Sequence, residues 1–267
     1  MLKEEQLLEK RLSELSRTAY HRDIITYSDF LNLNELNILH SLPKEQLYTR
    51  YVTFGGYDLA ERQMAAFLPD ALYLRGMQEE GADMHGSFIQ GLSFPFHALS
   101  IEPLHDKYAE ELNHRDYLGA ILNLGIDRSK LGDIIVDGKQ AVVFIHSSLN
   151  AFLTEELTRV RHTSVLLREI SLEDYHYSPR YEEIKGTVAS VRLDSLLSLA
   201  FSSSRTKLTG LIEGAKVFVN GRLMTTNSYQ VKEGDVISVR GMGKFRYQGT
   251  LSRTKKNRIF VVIHKYV

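Results

Sequence analysis

The sequence predicts an α+β protein of three folded parts that ends in a compact, strongly basic module. Helical and strand-like apolar spacings alternate along the chain, and the middle third follows the order β-α-β-β-α-β. Residues 182–267 hold 15 Lys and Arg against 6 Asp and Glu, whereas residues 1–181 hold 18 against 27. The net charge of zero therefore conceals an acidic body and a basic end. A concentrated basic region is typical of a nucleic-acid-binding protein.

The composition narrows the class of protein. No apolar run approaches the roughly 18 residues of a membrane span, and charged residues follow Met1 where a signal peptide would have its apolar core. The absence of cysteine excludes disulfides and thiolate metal sites. We therefore expect a cytoplasmic protein without membrane insertion.

Four segments are predicted from these patterns. They are a mixed α/β domain, a ferredoxin-like domain of the RNA-recognition type, a linker and a basic RNA-binding domain, over residues 1–90, 91–172, 173–186 and 187–267.

The first domain is expected to be mostly helical. Apolar residues at helical spacing predict an opening helix over residues 8–19, and Asn34 is a candidate cap of a second helix. Aromatic and β-branched residues predict a strand over 48–54. After a glycine turn, Asp58 is expected to cap a helix that runs through Ala66.

The middle domain is predicted to have a ferredoxin-like fold. Asp137-Gly138 is a strong signal for a tight hairpin between two of its strands. The order of elements is the split βαβ arrangement that many RNA-binding domains use. The predicted strands cover 98–104, 133–136, 140–146 and 163–170, and the helices cover 114–124 and 150–158. Only Phe144 is available for base stacking, so we expect weak RNA binding through charge or shape, or a contact with protein.

The basic module begins with two helices. Apolar residues at positions 193, 196, 197, 200 and 201 form one helical stripe, and Ser204 is a candidate cap of the second helix. Asp194 is assigned as the cap of the first helix. Asn220-Gly221 predicts a hairpin turn, because both residues tolerate positive φ.

The residues of this module resemble the αL RNA-binding motif, the domain first recognised in ribosomal protein S4. The resemblance covers about 50 residues, through Arg192-Leu193-Asp194, Ser204-Arg205, Val219-Asn220-Gly221, Gly234-Asp235 and Val239-Arg240-Gly241. Further segments are similar to the YlmH family of bacterial proteins, which carry this motif at the C-terminal end. They are Gly55-Gly56-Tyr57, Ala60-Glu61-Arg62, His114-Arg115-Asp116, Leu118-Gly119 and Gly132-Asp133-Ile134.

The resemblance implies an RNA-binding surface formed by the two helices and the following turn. Guanidinium groups suit phosphate oxygens, and the N-terminus of the helix after Ser204 offers backbone N–H groups to an anion. Lys207 departs from the family pattern, in which many members have a small or acidic residue. The residues assigned to RNA are Arg192, Ser204, Arg205, Lys207, Lys216, Asn220, Gly221, Arg222, Arg240, Lys244 and Arg246.

No enzymatic constellation is recognised, and we assign no catalytic residue, metal or cofactor. His114-Arg115-Asp116 resembles a kinase catalytic loop, but Ile121 stands where that loop requires Asn. Arg192-Leu193-Asp194 resembles a pseudouridine synthase motif without its preceding glycine.

The resemblance to the YlmH family implies two biological contexts, cell division and the rescue of stalled translation. In the second, the partners are structured ribosomal RNA of the large subunit and tRNA. A division-site protein adaptor with incidental RNA binding is the alternative function. A third hypothesis is an RNA-modifying enzyme with its site in the N-terminal half.

Overall fold

The computed structural model describes residues 3–70, 92–172, 175, 177, 179–254 and 257–266, except for the side chain of Arg205. It divides into two compact units, residues 1–176 and 177–267. Unit 1 has four helices, Lys3–Arg22 (α1), Leu33–Ser41 (α2), His114–Asn123 (α3) and Asn150–Glu156 (α4), in its described part. Its described strands are Thr26–Tyr27 (β1), Arg50–Phe54 (β2), Met64–Leu68 (β3), Phe96–Pro103 (β4), Leu131–Asp137 (β5), Gln140–His146 (β6), Arg159–Val160 (β7) and Thr163–Ile170 (β8).

The ferredoxin-like prediction for the middle of the chain is confirmed. Strands β5, β6, β4, β8 and β7 form one antiparallel sheet in that order. Leu99, Ile101, Tyr117 and Ile121 belong to the core that this sheet shares with α3 and α4. Alternation along each strand turns the intervening side chains to the opposite face of the sheet.

The first 70 residues are less helical than predicted. Residues 64–68 form a strand and not a helix, so the assignment of Asp58 as a helix cap was wrong. Strand β3 lies between β1 and β2, and all five of its residues are buried. A short apolar run buried on both faces has no periodicity that separates strand from helix. The cap of α2 is Asn32 and not Asn34, because the Asn32 side chain accepts hydrogen bonds from the backbone N–H groups of Asn34 and Glu35.

The three-stranded sheet is covered on both faces. Ala65 and Phe67 share a core with Leu12 of α1 and Leu36 of α2. Met64 and Ala66 share another with Phe96, Ala98 and Phe144, which lie on the ferredoxin-like sheet. The predicted boundary at residue 90 therefore does not separate compact units, although residues 71–91 lie outside the described part.

Unit 2 is a six-stranded antiparallel sheet with two helices. The helices are Leu193–Phe201 (α5) and Arg205–Glu213 (α6). The strands are Tyr181–Val188 (β9), Val217–Val219 (β10), Arg222–Leu223 (β11), Val236–Val239 (β12), Gly243–Arg253 (β13) and Ile259–Tyr266 (β14). The sheet order is β11-β10-β12-β13-β14-β9.

Strand β9 corrects the predicted linker 173–186. Residues 181–188 pair antiparallel with β14 over eight positions, from Tyr181 with Tyr266 to Val188 with Ile259. Their pairing partners lie 71 to 85 residues further along the chain. Local turn residues therefore suggested a linker, whereas long-range pairing makes residues 181–186 part of an edge strand.

Candidate nucleic-acid interface

The α5–α6 hairpin is built by a buried apolar stripe and a capped break. Leu193, Leu196, Leu197 and Ala200 of α5 are buried against the sheet, together with Leu208 and Ile212 of α6. Ser202 adopts a left-handed conformation with φ of 46° and ends α5. The Ser204 hydroxyl accepts a hydrogen bond from the Lys207 N–H at 3.4 Å, which confirms its role as a cap.

Arg192 is already engaged by a neighbouring carboxylate. Its Nε and Nη2 atoms each lie 3.2 Å from an oxygen of Asp194. Arg192 occupies the cap position of α5 and Asp194 lies inside the helix, so the assignment of Asp194 as the cap was wrong. A guanidinium has five N–H donors, so this pair leaves about three for an RNA phosphate. The Arg192 side chain is 37% exposed, which keeps it accessible to a ligand.

Three of the cations predicted to contact RNA are exposed on unit 2. Lys207, Lys216 and Arg222 are exposed, and none has a side-chain hydrogen bond or ion pair within the described part of the chain. Exposed cations without carboxylate partners give phosphate groups a favourable site, because no ion pair has to be broken first. The side chain of Arg205 lies outside the described residues, so its assignment remains a prediction.

Asn220 has a structural role that the sequence did not predict. Its side-chain N–H donates to the carboxylate of buried Asp235 at 2.8 Å, and its oxygen accepts from the Val236 N–H at 2.9 Å. The same carboxylate accepts from the Lys232 N–H at 2.8 Å. Asn220 and Gly221 have φ of 49° and 75°, as the predicted hairpin turn requires. The amide of Asn220 therefore links the turn at 220–221 to the turn at 232–235 through hydrogen bonds. Arg222 is the exposed cation that follows the first of these turns.

The predicted residues lie in several groups. Lys216 and Arg240 are adjacent, since the Arg240 N–H donates to the Lys216 carbonyl at 2.9 Å. The turn with Arg222 lies at the other end of β10, about 13 Å along the strand. Helix α5, also about 13 Å long, separates Arg192 from the serine break.

Lys244 and Arg246 lie away from the helices. Phe245 and Tyr247 of β13 are in the core shared with α5 and α6, so alternation turns Lys244 and Arg246 to the other face of the sheet. Arg240 is on that face as well, because its guanidinium carbon is 5.5 Å from the ring of Phe218, which lies between two core-facing valines. The resemblance did not separate these two faces.

A polar network in unit 1 was missed at the sequence level. The carboxylate of Asp133 accepts hydrogen bonds from the Tyr57 hydroxyl at 2.7 Å, the Glu61 N–H at 2.7 Å and the Arg62 N–H at 3.2 Å. The Arg62 guanidinium donates to the carbonyls of Phe30, Arg128 and Leu131. The signal was present in the YlmH-like segments, because Tyr57, Glu61, Arg62 and Asp133 all belong to them. The network fixes the loop after β2 against β5.

The cations of this network are half-buried and donate hydrogen bonds to backbone carbonyls. Arg128 donates to the carbonyls of Leu131 and Gly132, at 2.9 and 3.1 Å. Burial, and then the positive charge of Arg62, lower the pKa of Arg128 to about 10. Burial also lowers the pKa of Arg62, whereas the charges of Glu35, Asp133 and Asp127 raise it. Both groups remain protonated at neutral pH, and they hold the fold.

The outward face of the ferredoxin-like sheet is also committed to structure. RNA-recognition domains stack bases on exposed aromatic residues of this face. Here Phe96 and Phe144 are buried against the N-terminal strands. No group of three His, Asp or Glu residues suitable for a metal occurs among the described residues. Within the same part of the chain, no helix is long and apolar enough to cross a membrane.

Comparisons with known proteins match both units. A family described as a putative RNA-binding domain in YlmH matches residues 97–174, and the S4 domain matches residues 191–237. The ribosome-associated protein quality control protein P2 of Bacillus subtilis is 28% identical over 257 residues, covering 96% of this chain and 93% of that protein. Small ribosomal subunit protein uS4 of Coxiella burnetii is 40% identical over 86 residues, covering 28% of this chain and 42% of uS4. The cell division protein ylmH from Streptococcus pneumoniae has a TM-score of 0.47 at 20% identity, covering 65% of this chain and 95% of that chain.

The chain is therefore an RNA-binding protein with a C-terminal S4 domain. The predicted resemblance to the YlmH family is confirmed, since the YlmH-type domain and the S4 domain occur in that order, and similarity to a relative extends over nearly the whole chain.

Proposed function

We propose that this protein is a non-enzymatic, cytoplasmic factor that binds structured ribosomal RNA of the large subunit in ribosome-associated quality control. The observation that supports RNA binding most directly is the set of exposed, unpaired cations Lys207, Lys216 and Arg222 in the S4 domain. The name of the Bacillus subtilis relative supports the ribosomal context. Contact with tRNA is part of the same proposal.

The distribution of charge supports a division of labour between the units. The basic residues that are exposed in unit 2 attract phosphates, whereas the acidic excess of residues 1–181 repels other polyanions. A basic module joined to an acidic body thereby binds RNA only where its shape also fits. Under this proposal, affinity comes from backbone phosphates and specificity comes from the fold of the RNA.

Co-sedimentation with separated ribosomal subunits tests the proposal. The full-length protein is expected to sediment with the large subunit and to be released by RNase. The double variant Lys216→Ala/Arg222→Ala should bind weakly. Arg17→Ala/Lys44→Ala is the matched control, because it removes two exposed cations of unit 1 and changes the net charge equally.

The outcomes separate the alternatives. Binding that survives RNase would favour a protein adaptor, as at a division site. Equal binding to both subunits would remove the large subunit from the proposal. If about four phosphates are neutralised, affinity for the isolated RNA should fall roughly 50- to 150-fold between 50 and 200 mM salt. A flat salt response would contradict backbone binding.

A further inference from the structure

Strands outside the S4 match create a second surface on unit 2. The match to the S4 domain covers residues 191–237, and β13, β14 and β9, which lie outside it, extend the sheet. Ile184, Val188, Val261 and Ile263 face α5 and α6. Alternation turns the side chains between them away from the helices. This outer face includes Tyr181, Glu183, Lys185, Lys244, Arg246, Gln248, Val262, His264 and Tyr266.

An aromatic stack lies at the edge of the outer face. The rings of Tyr181 and His264 are parallel within 13°, with their centroids 3.9 Å apart. His264 is held in place, since its Nδ1 lies 3.0 Å from the Gln248 amide nitrogen and its Nε2 lies 3.6 Å from a carboxylate oxygen of Glu183. Tyr181 is 50% exposed, so one ring face covers His264 and the other is presented to solvent.

The charge next to this stack is positive. Arg246 pairs with His264 in the register of β13 and β14, and Lys244 lies two residues before it. Arg240 covers Phe218 on the same face. Glu183, an acidic residue of this face, forms an ion pair with Lys185 at 2.6 Å. Lys244 and Arg246 are half-buried, and the Nε of Arg246 is buried without a hydrogen-bond partner among the described residues.

We infer that the outer face binds single-stranded RNA, with an unpaired base stacked on Tyr181 and the adjoining phosphates near Lys244 and Arg246. Stacking on an aromatic ring contributes to binding for every base, since each has a π face. The ferredoxin-like sheet does not offer this contact, because its rings are buried against the N-terminal strands. This inference rests on the proposed function: the helices of unit 2 bind folded RNA, and the outer face binds an unpaired loop or strand next to it.

The test uses the full-length protein and an unstructured oligoribonucleotide of about ten residues that contains 2-aminopurine. Stacking on Tyr181 should quench the fluorescence of the probe. Tyr181→Ala is expected to weaken binding roughly 5- to 150-fold, as the loss of one stacked base predicts, whereas Tyr181→Phe keeps the ring and the affinity. Tyr108→Ala is the matched control, since it removes a tyrosine of unit 1 that is 75% exposed.

Three results would overturn the inference: unquenched probe with the unsubstituted protein, unchanged binding by Tyr181→Ala, or equal losses in Tyr181→Ala and Tyr108→Ala. If Tyr181→Ala does not fold, photocrosslinking of a 4-thiouridine oligonucleotide to the unsubstituted protein decides the question. Crosslinks should fall on the peptides of β9 and β14, and crosslinks elsewhere would contradict the site. Lys207→Ala/Arg222→Ala removes two exposed cations that lie away from the outer face. This variant should retain most binding of the oligonucleotide while weakening the binding of ribosomal RNA, so this site and the proposed function fail separately.

Discussion

Several basic residues of unit 1 have structural partners, whereas several of unit 2 are exposed to a ligand. In unit 1, Arg62 and Arg128 turn inward to backbone carbonyls, and Lys130 and Arg161 pair with Asp29 and Asp116. In unit 2, Lys207, Lys216 and Arg222 are exposed, with no side-chain partner in the described part of the chain. An arginine in the sequence is therefore not evidence of RNA contact until its partners are known.

The two sheets show the same contrast. The outward face of the ferredoxin-like sheet is buried by the N-terminal strands, which removes Phe96 and Phe144 from solvent. The outer face of the C-terminal sheet keeps Tyr181 half exposed beside cations. The domain whose fold is typical of base stacking buries its rings, whereas the C-terminal sheet keeps one ring half exposed.

The largest expected effect is the loss of the carboxylate in unit 1. Asp133→Ala removes the acceptor of three hydrogen bonds and one of the carboxylates near Arg62, so unit 1 should lose about 3 kcal/mol of stability. Hydrogen exchange measured by mass spectrometry on the full-length protein should show faster exchange around residues 57–62. RNA affinity is expected to remain near that of the unsubstituted protein. A loss of RNA binding without faster hydrogen exchange would show that Asp133 serves RNA binding and not the stability of unit 1.

Removing exposed cations from unit 2 should lower RNA affinity and leave stability nearly unchanged. Lys216→Ala/Arg222→Ala is expected to lower RNA affinity at 50 mM salt by roughly 20-fold or more, and to reduce the slope of log affinity against log salt by about 2. Stability should change by less than about 0.5 kcal/mol, because neither side chain is buried. Salt titrations and urea unfolding measure the two quantities. An unchanged slope would show that these cations do not contact phosphate.

Asn220 is an exception to the contrast between the units. It belongs to the predicted RNA surface of unit 2, but its side chain forms structural hydrogen bonds. Asn220→Ala removes two hydrogen bonds, leaves buried Asp235 with one fewer donor and keeps a positive φ that alanine disfavours. The expected cost is about 1–3 kcal/mol in the turn, visible as faster exchange of residues 217–236. RNA affinity measured where the variant is folded should change little. A specific loss of affinity in a stable protein would return Asn220 to the RNA contacts.

Acid should weaken unit 1 through His146. Its Nδ1 accepts a hydrogen bond from the Ser148 N–H at 3.2 Å, which requires an unprotonated nitrogen. Burial, and then the charge of Lys130, lower the pKa of His146 in the folded state. The unfolded chain therefore binds more protons as the pH falls below about 6.5, and this contribution to stability is lost from that point downward. His146→Asn should make thermal unfolding less sensitive to acid, and an unchanged pH dependence would contradict this role.

The smallest expected effect concerns Asp194. Asp194→Asn neutralises the partner of Arg192 while keeping an acceptor for the Ser195 N–H. The helix should lose about 0.5 kcal/mol of favourable dipole interaction. More guanidinium donors then face RNA, and we expect affinity to rise about twofold, measured by filter binding. Lower affinity would indicate that Asp194 is needed to orient Arg192 for the phosphate.

Local sequence signals predicted much of the architecture. Apolar spacing located α5, Ser204 was identified as the cap of α6, and Asn220-Gly221 was identified as a hairpin turn. The order of elements predicted the ferredoxin-like sheet. These features are encoded within a few residues of one another, because helix periodicity, capping and turn conformations are local properties.

What the tertiary structure alone decided involves partners that are distant in sequence. Strand β3 has no readable periodicity because it is buried on both faces, and β9 becomes a strand only through its pairing with β14. The roles of Arg62, Arg192 and Asn220 depend on which acceptors lie beside them. The sequence by itself determined where the positive charge is and which turns present it. Folding decided which charged side chains remain exposed to a ligand. Lys and Arg residues have the same chemistry wherever they occur in the sequence, and only the folded structure determines which of them are buried or hydrogen-bonded.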